Sequence, residues 1–398
     1  MLFDPTRHEA LQPIAWDERR ARAMIKRIMS DAELRFSPES YWPTHPLDSK
    51  EPAPFHALYF GACGVIWALR YLENQGAVTL ARDYAPHVPP LLALNRVSMQ
   101  HTDGTPFGSY LMGDTGIRLL QYWCHGSEPV AAALAELIRD NMHHPARELM
   151  MGSPGTLLAA LFMHARTGEA RWAKLFRDTS STLWSQLEWS PQESCYYWIQ
   201  KLNGRRCNYL DAVHGFVATA SPIIQGRHLL DAGDWTLWHQ CIANTMRRTA
   251  EAQGELVNWR AQLDTARGGP KLMQYCHGAP GFVICLGDFP DGSIDGLLEG
   301  GAEATWAAGP LAKGSNLCHG TGGNGYAFLK LFKRTGDRKW IDRARAFAMH
   351  GIVQTEAAEQ AYGQMRYSLW TGDPGFAIYL WDCIRGSDRF PTVDTFFG

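Results

Sequence analysis

The chain holds 398 residues, of which 45% are hydrophobic and 20% charged, with a formal net charge of −2. Acidic and basic residues are interspersed, so no basic stripe is available to grip a nucleic-acid backbone, and nucleic-acid binding is set aside. The hydrophobic fraction suffices for a large core, yet the longest apolar stretches, such as residues 156–163, fall far short of a membrane span, which needs roughly 20 residues.

The N-terminal Met1-Leu2-Phe3-Asp4-Pro5-Thr6-Arg7 lacks the basic and apolar regions of a signal peptide. Nine cysteines, an odd number without the dense spacing of a secreted framework, agree with reduced thiols. A cytoplasmic protein is expected. Residues 1–50 read as a lead-in carrying a first outer helix, residues 51–398 as a repeat region, and 1–398 together as a single domain.

The repeat unit is a short loop phrase, Gly-x-x-Gly or a near relative, found seven times. The copies begin at Gly61, Gly113, Gly152, Gly215, Gly278, Gly320 and Gly372, and are 52, 39, 63, 63, 42 and 52 residues apart. An apolar helix-like segment follows most of them, for example 65–72, 156–162 and 326–332, and segments apolar nearly all round are buried on several sides. Between phrases lie amphipathic stretches such as 338–348, which fit helices with one wet face. One buried and one half-exposed helix per repeat predicts two concentric layers. The expected fold is all-α: a closed α/α toroid of seven inner and seven outer helices, with an open helical solenoid as the alternative. Glycine suits each entering turn because it tolerates positive φ and close backbone approach, and all seven loops converge at one mouth.

The fifth and sixth loops carry the chemistry. Tyr275-Cys276-His277-Gly278 is echoed by Leu317-Cys318-His319-Gly320. Two cysteines and a histidine make a zinc site with one open position, at which a water or a thiol is polarised; both histidines together would instead close a structural Cys₂His₂ site. Cys124-His125-Gly126 repeats the phrase but lies eight residues beyond Gly116, outside the loop register, and reads as structural, as do the other cysteines. Trp67, Trp198, Trp306 and Trp370 read first as core fillers and second as mouth lining.

With seven glycine loops and Cys-His-Gly in the fifth and sixth, the chain resembles the lanthionine synthetase C family, and within it the LanC-like branch. The phrases 275–281 and 316–329 carry the likeness, which extends in weaker form from about residue 55 to the C-terminus. The resemblance implies an α/α toroid that binds one zinc through Cys276, Cys318 and His319. It implies activation of a thiol, from a peptide cysteine or from glutathione, for addition to dehydroalanine or dehydrobutyrine in a peptide or protein. It also makes His214 the candidate acid/base group that protonates the resulting enolate. The bland reading of His214 is a buried histidine satisfying backbone carbonyls at a helix start.

Glu148, four residues before Gly152, stands where the cyclases of that family carry an aspartate near the metal; it reads either as an orienter of His214 or as a first-turn charge. Those cyclases have an arginine four residues before the first zinc cysteine, but this chain has Leu272 with Lys271 beside it, and Lys271 is a candidate point charge in its place. His277 is a further candidate polar contact near the metal. Ala218 replaces the closing glycine of the fourth loop and is expected to tilt it. With no long dehydratase segment in the sequence, the acceptor is expected from another enzyme. Two rivals stand beside thiol addition. One is a non-catalytic zinc-stabilised module that binds a peptide or protein. The other is glycoside hydrolysis using carboxylates among Glu148, Asp114, Asp211 and Asp373, a reading that leaves both Cys-His pairs unexplained.

Overall fold

Each of the seven phrases caps a helix. In the computed structural model, which describes residues 2–51 and 53–398, fourteen α-helices alternate in chain order. They are α1 (Glu18–Arg35), α2 (Ala62–Asn74), α3 (Leu91–Ser98), α4 (Asp114–Cys124), α5 (Glu128–Asn141), α6 (Ser153–Thr167) and α7 (Ala170–Ser185). The second half holds α8 (Phe216–Gln225), α9 (Ala232–Thr249), α10 (Ala279–Leu286), α11 (Asp295–Ala308), α12 (Thr321–Thr335), α13 (Arg338–Tyr362) and α14 (Asp373–Arg385). The seven first glycines are the residues that precede the even-numbered helices.

Burial sorts the two layers. All eight residues of α10 are buried, as is α12 from Thr321 to Leu331. By contrast α1 buries only Ala21, Met24, Ile25, Ile28, Met29 and Ala32, a stripe at the 3.6-residue period, and starts at Asp17, whose carboxylate accepts the Arg19 and Arg20 N–H groups. The inner helices touch in the order α2, α4, α6, α8, α10, α12, α14, and α14 returns to α2. That closure makes the fold an α/α toroid, as expected, and removes the open solenoid. On the outside α5 lies on α4, α7 on α6, α11 on α10 and α13 on α12, while α1, the first helix of the chain, lies on α14, the last.

The chain is mostly helical, as expected of an all-α toroid, and carries short hairpins besides. Three antiparallel hairpins pair β1 (Glu188–Ser190) with β2 (Cys195–Tyr197), β3 (Gln200–Leu202) with β4 (Arg205–Cys207), and β5 (Ala250–Gln253) with β6 (Leu256–Trp259). They fill the two 63-residue intervals, which are the longest between phrases. Asn203 and Gly204, both at positive φ, turn β3 into β4, the conformation an Asn-Gly hairpin requires.

The glycines answer to two constraints. Only Gly61 (φ +119°) and Gly278 (φ +114°) among the first glycines need a positive φ; the other five are extended, which corrects the general expectation. The six closing glycines obey a contact rule instead: a Cβ on any of them would lie 1.8–2.6 Å from the carbonyl oxygen of the residue six positions earlier. Ala218 departs from the rule yet keeps a backbone hydrogen bond made at other closing positions. Its N–H donates to Asp211 O (3.2 Å), the same seven-residue step that Gly323 makes to Asn316 O (3.1 Å) and Gly64 to Ala57 O (3.4 Å).

The C-terminal segment packs into the core of the ring and reaches the mouth loops. Trp67 Nε1 donates to Phe396 O (2.9 Å) and the Tyr110 hydroxyl to Thr392 O (2.6 Å), while the Phe390 ring stacks on Tyr275 with centroids 4.4 Å apart.

Candidate metal centre

Aligned on their first glycines, the seven loops form a hydrogen-bonded ring. The residue two before that glycine donates its N–H to the carbonyl of its counterpart in the next loop: Cys276 to Cys318 (3.1 Å), Cys318 to Trp370 (2.8 Å), Trp370 to Tyr59 (3.1 Å), Tyr59 to Leu111 (2.9 Å) and Leu111 to Met150 (3.3 Å). Leu149 N–H to Val213 O (2.9 Å) carries the ring to the fourth loop. The last step, from fourth loop to fifth, is made by side chains, Asp211 Oδ2 accepting from His277 Nδ1 at 2.7 Å. All seven inner helices therefore begin at this end, and their N-terminal dipoles favour negative charge within the mouth.

This register explains why the two cysteines meet. Cys276 and Cys318 occupy the same rung of adjacent loops, and His319 follows one residue on. The Sγ atoms of the cysteines and a ring nitrogen of His319 all lie within 4.8 Å of one another, with both cysteines buried and His319 half-buried. It is the only such cluster of three or more His, Cys, Asp or Glu side chains among the described residues. His277 stands outside it, turned to Asp211, and so do Cys124 and His125.

The sulfurs are electrostatically prepared for a cation. A hydrogen bond from the Cys276 thiol holds the Cys318 thiol well below its ordinary pKa against the opposing effect of burial, with further help from His319 and Tyr59. Cys276, giving that hydrogen bond and fully buried, is pushed up. The two sulfurs are thus coupled, Cys318 inclined toward the thiolate and Cys276 toward the thiol. Two thiolates and an imidazole are a donor set that zinc takes when one position stays open. Each sulfur also receives a neutral donor: the Tyr59 hydroxyl reaches Cys318 Sγ and the Gln274 amide nitrogen reaches Cys276 Sγ, both at 2.9 Å. Burial first, and the Cys318 charge second, raise the Tyr59 pKa well above the phenol range, so the hydroxyl keeps its proton.

Beside the cluster stand two carboxylate–imidazole pairs, offset by one repeat. Glu148, fully buried, accepts the N–H groups of Met150 (2.9 Å) and Met151 (2.5 Å), and its Oε2 meets His214 Nδ1 at 3.0 Å. Asp211, equally buried, accepts the N–H groups of Val213 (3.0 Å) and His214 (2.7 Å) with one oxygen and holds His277 with the other. Burial works against the His214 imidazolium, but the hydrogen bond and charge of Glu148, with Asp211 and Cys318 behind it, outweigh burial and raise the His214 pKa. The His214 and His277 rings face each other with centroids 6.0 Å apart, and Tyr209 lies 5.5 and 6.0 Å from them.

Of the residues expected at the site, Cys276, Cys318 and His319 come together, and Glu148, His214 and His277 join them at the mouth. Lys271 does not. Its ammonium is buried against Glu251 (2.8 Å) and the Gly269 carbonyl (3.1 Å), because a buried cation needs an anionic partner and β5 supplies one. Asp211, Tyr59 and Gln274 were not singled out as parts of this site by sequence reasoning. Asp211 and Gln274 stand four residues before a first glycine, as Glu148 does, and Tyr59 stands two before, as the cysteines do. A cavity of about 670 Å³ opens beside His319 and carries Gln354, Tyr362 and Arg366 on its wall.

Fold and site together define a helical toroid with a thiol–imidazole cluster at the mouth where its seven inner helices begin. The chain belongs to the lanthionine synthetase C-like family: the family described as "Lanthionine synthetase C-like protein" matches residues 57–395. It is similar to the Danio rerio protein "Glutathione S-transferase LANCL1", 42% identical over 135 residues, which are 31% of this chain and 31% of that one. It is also similar to the Arabidopsis thaliana "LanC-like protein GCL1", 32% identical over 145 residues, 32% of this chain and 31% of the relative. The matched stretch thus spans about a third of the length of these curated relatives. Among solved structures, "Nisin cyclase" superposes with a TM-score of 0.61 at 14% identity, over 93% of this chain and 95% of that one, a likeness of fold. No helix among the described residues is long and apolar enough to cross a membrane.

Proposed function

We propose that the chain, acting as one domain over residues 1–398, is a zinc-dependent enzyme that adds a thiol to dehydroalanine or dehydrobutyrine and forms a thioether. The thiol is that of glutathione or of a peptide cysteine, and the acceptor is a peptide or protein that contains the dehydroamino acid. One observation carries the reading: the Cys276–Cys318–His319 cluster shares the mouth with a buried carboxylate–imidazole pair of raised pKa. The similar Danio rerio protein, a glutathione S-transferase, supports thiol chemistry in general.

Cys276, Cys318 and His319 would hold the metal. Bound zinc supplies a Lewis acid that keeps a thiol ionised at neutral pH. The chain's own residues handle the proton. Glu148 holds His214 by Nδ1, leaving Nε2 toward the mouth, and the paired carboxylate stabilises the imidazolium. When the thiolate adds to the β-carbon, charge moves onto the enolate, and the imidazolium gives its Nε2 proton to the α-carbon. Asp211 sets the backbone N–H of His214 and the ring of His277 at once, so the two imidazoles keep a fixed separation.

Glycoside hydrolysis is the weaker reading because the carboxylates it would use are committed. Glu148 and Asp211 bind backbone amides and imidazoles, Asp114 pairs with Arg96, and Asp373 accepts the Arg366 N–H. The test incubates the zinc-loaded protein with a dehydroalanine peptide, with and without glutathione, and follows mass. A gain equal to glutathione is the expected result, and loss of free thiol without mass gain in a cysteine-containing peptide identifies ring closure. No change under either condition overturns the enzymatic reading in favour of a zinc-stabilised binding module.

A further inference from the structure

An enzyme that presents an electrophilic alkene to a metal-bound thiolate carries a hazard within its own metal site. Cys276 and Cys318 are thiolates too when metal is bound, and they sit in the same mouth as the acceptor. Attack by either Sγ on the β-carbon of a dehydroamino acid would form a C–S bond, shift the alkene pair to the α-carbon and end with a proton taken up there from water or the His214 imidazolium. The product is a permanent thioether on a metal ligand, and no oxidant or further reactant is needed to make it.

The two sulfurs are not left bare. Tyr59, from the first loop, points its hydroxyl at Cys318 Sγ, and Gln274, two residues before Cys276, points its amide nitrogen at Cys276 Sγ, each at 2.9 Å. Both donors are neutral, so neither displaces the cation nor adds charge to the site. The contacts are built in rather than incidental. The Tyr59 ring stacks on Trp370 with centroids 5.7 Å apart, and its backbone is a member of the ring of hydrogen bonds that joins the loops. The Gln274 side chain is buried, its Oε1 has no partner, and its backbone is fixed by two hydrogen bonds with His277, so the sulfur is the sole hydrogen-bond partner of the amide.

A hydrogen bond to a thiolate draws electron density from the lone pairs that would attack an alkene. From this geometry we infer that Tyr59 and Gln274 are selectivity residues, which quench the nucleophilicity of Cys318 and Cys276 so that a substrate sulfur is the one that reacts. The Tyr59 hydroxyl has one proton and gives it to Cys318 Sγ, and Gln274 Nε2 is held on Cys276 Sγ, so each donor is matched to a ligand sulfur rather than to one arriving at the open position. The inference rests on the thiol-addition reading, because only an electrophilic substrate makes the quenching useful.

The experiment uses acrylamide, an α,β-unsaturated amide of the same reactive class as dehydroalanine, on the zinc-loaded full chain. Adducts on each cysteine are mapped by peptide mass spectrometry against time, and zinc release is followed in parallel. In Tyr59→Phe the alkylation of Cys318 rises about tenfold while Cys276 keeps its rate; in Gln274→Leu the two exchange roles, each change being that expected for loss of one charge-assisted hydrogen bond. Buried Cys63 and Cys285, in α2 and α10, report any general loss of fold, and each variant tests a different sulfur, so one unstable variant leaves the other decisive. Unchanged rates at the matched sulfur, or equal acceleration of both sulfurs in each single variant, overturn the inference. Acrylamide needs no turnover by the enzyme, so selective protection in a protein inactive on dehydroalanine peptides separates failure of the proposed activity from failure of this one.

Discussion

The contact rule at the closing glycines makes Gly281→Ala a sharp probe of how the toroid holds its metal ligands. A Cβ there would stand 2.0 Å from the Tyr275 carbonyl oxygen and 2.6 Å from Ala212 Cβ. Relief to about 3.0 Å, the shortest distance a real Cβ tolerates, requires that carbonyl or the start of α10 to shift by about 1 Å. The Tyr275 carbonyl belongs to the peptide that carries the Cys276 nitrogen, which is itself tied to Cys318 O at 3.1 Å, so the shift is delivered to a ligand. Overpacking of this kind costs about 1–3 kcal/mol of stability. A misplacement of about 1 Å at a reacting centre costs about a hundredfold in rate. The control is Ala218→Gly, at the one loop that already accepts a methyl group, where the expected change is about 0.5–1 kcal/mol and zinc is retained. Urea unfolding reads the first effect and mass-detected turnover the second, and competition for zinc with a chromophoric chelator reports whether the ligands have moved. If Gly281→Ala matches the wild type in stability and zinc affinity, the link from glycine through Tyr275 to the cluster is wrong.

The remaining predictions concern the side chains at the mouth. Cys276→Ala and Cys318→Ala should lower zinc sharply from one per chain, and His319→Ala should weaken its retention; full occupancy in the double cysteine variant refutes the ligand set. His277→Ala should retain zinc, since Asp211 rather than the cluster holds its ring, and metal loss there would mean four protein ligands. His214→Ala should keep the metal and lower turnover by about 10²- to 10⁴-fold, read by mass-detected product formation against metal analysis. Because the folded His214 pKa is raised, its acid form, and the stability it contributes, is complete below the unfolded value and is lost as pH rises through the folded one. Glu148→Gln removes the main raising influence and should move the alkaline fall of the pH–rate profile to lower pH; an unmoved limb refutes the pairing.

The toroid was legible because its signal repeats. Each closing glycine answers the same carbonyl, so seven weak phrases become one strong pattern. Cys276, Cys318 and His319 were legible for a related reason, since identical phrases in neighbouring loops fold onto neighbouring rungs. The hairpins were overlooked although Asn203-Gly204 is a turn signal and the two long intervals had room for them; the helical period elsewhere drew the reading toward helix. Lys271 was misplaced because its partner Glu251 lies 20 residues upstream, in a strand whose position depends on the whole ring. Asp211, Tyr59 and Gln274 emerge only when the loops are aligned rung by rung, which fixes what each side chain can reach.

The pairing of α1 with α14 bears on how the molecule comes into being. Four of the outer helices, α5, α7, α11 and α13, lie against inner partners close to them in sequence, whereas this pair joins residues 18–35 to residues 373–385 across nearly the whole chain. Emerging helical hairpins can form early from near neighbours, but the circle stays open, with α1 and α2 both lacking α14, until the final helix arrives. Contacts between such distant segments are formed slowly, since loop-closure entropy is spent before they are gained. Refolding should therefore show a late, rate-limiting closure step, sensitive to substitutions in the α1–α14 seam and largely indifferent to those between α6 and α7. Cys276 and Cys318, on neighbouring loops, would meet before that step, whereas Tyr59, the first-loop donor to Cys318 Sγ, would reach its rung beside Trp370 only with it, so the surroundings of the ligand cluster would be the last part of the protein to mature.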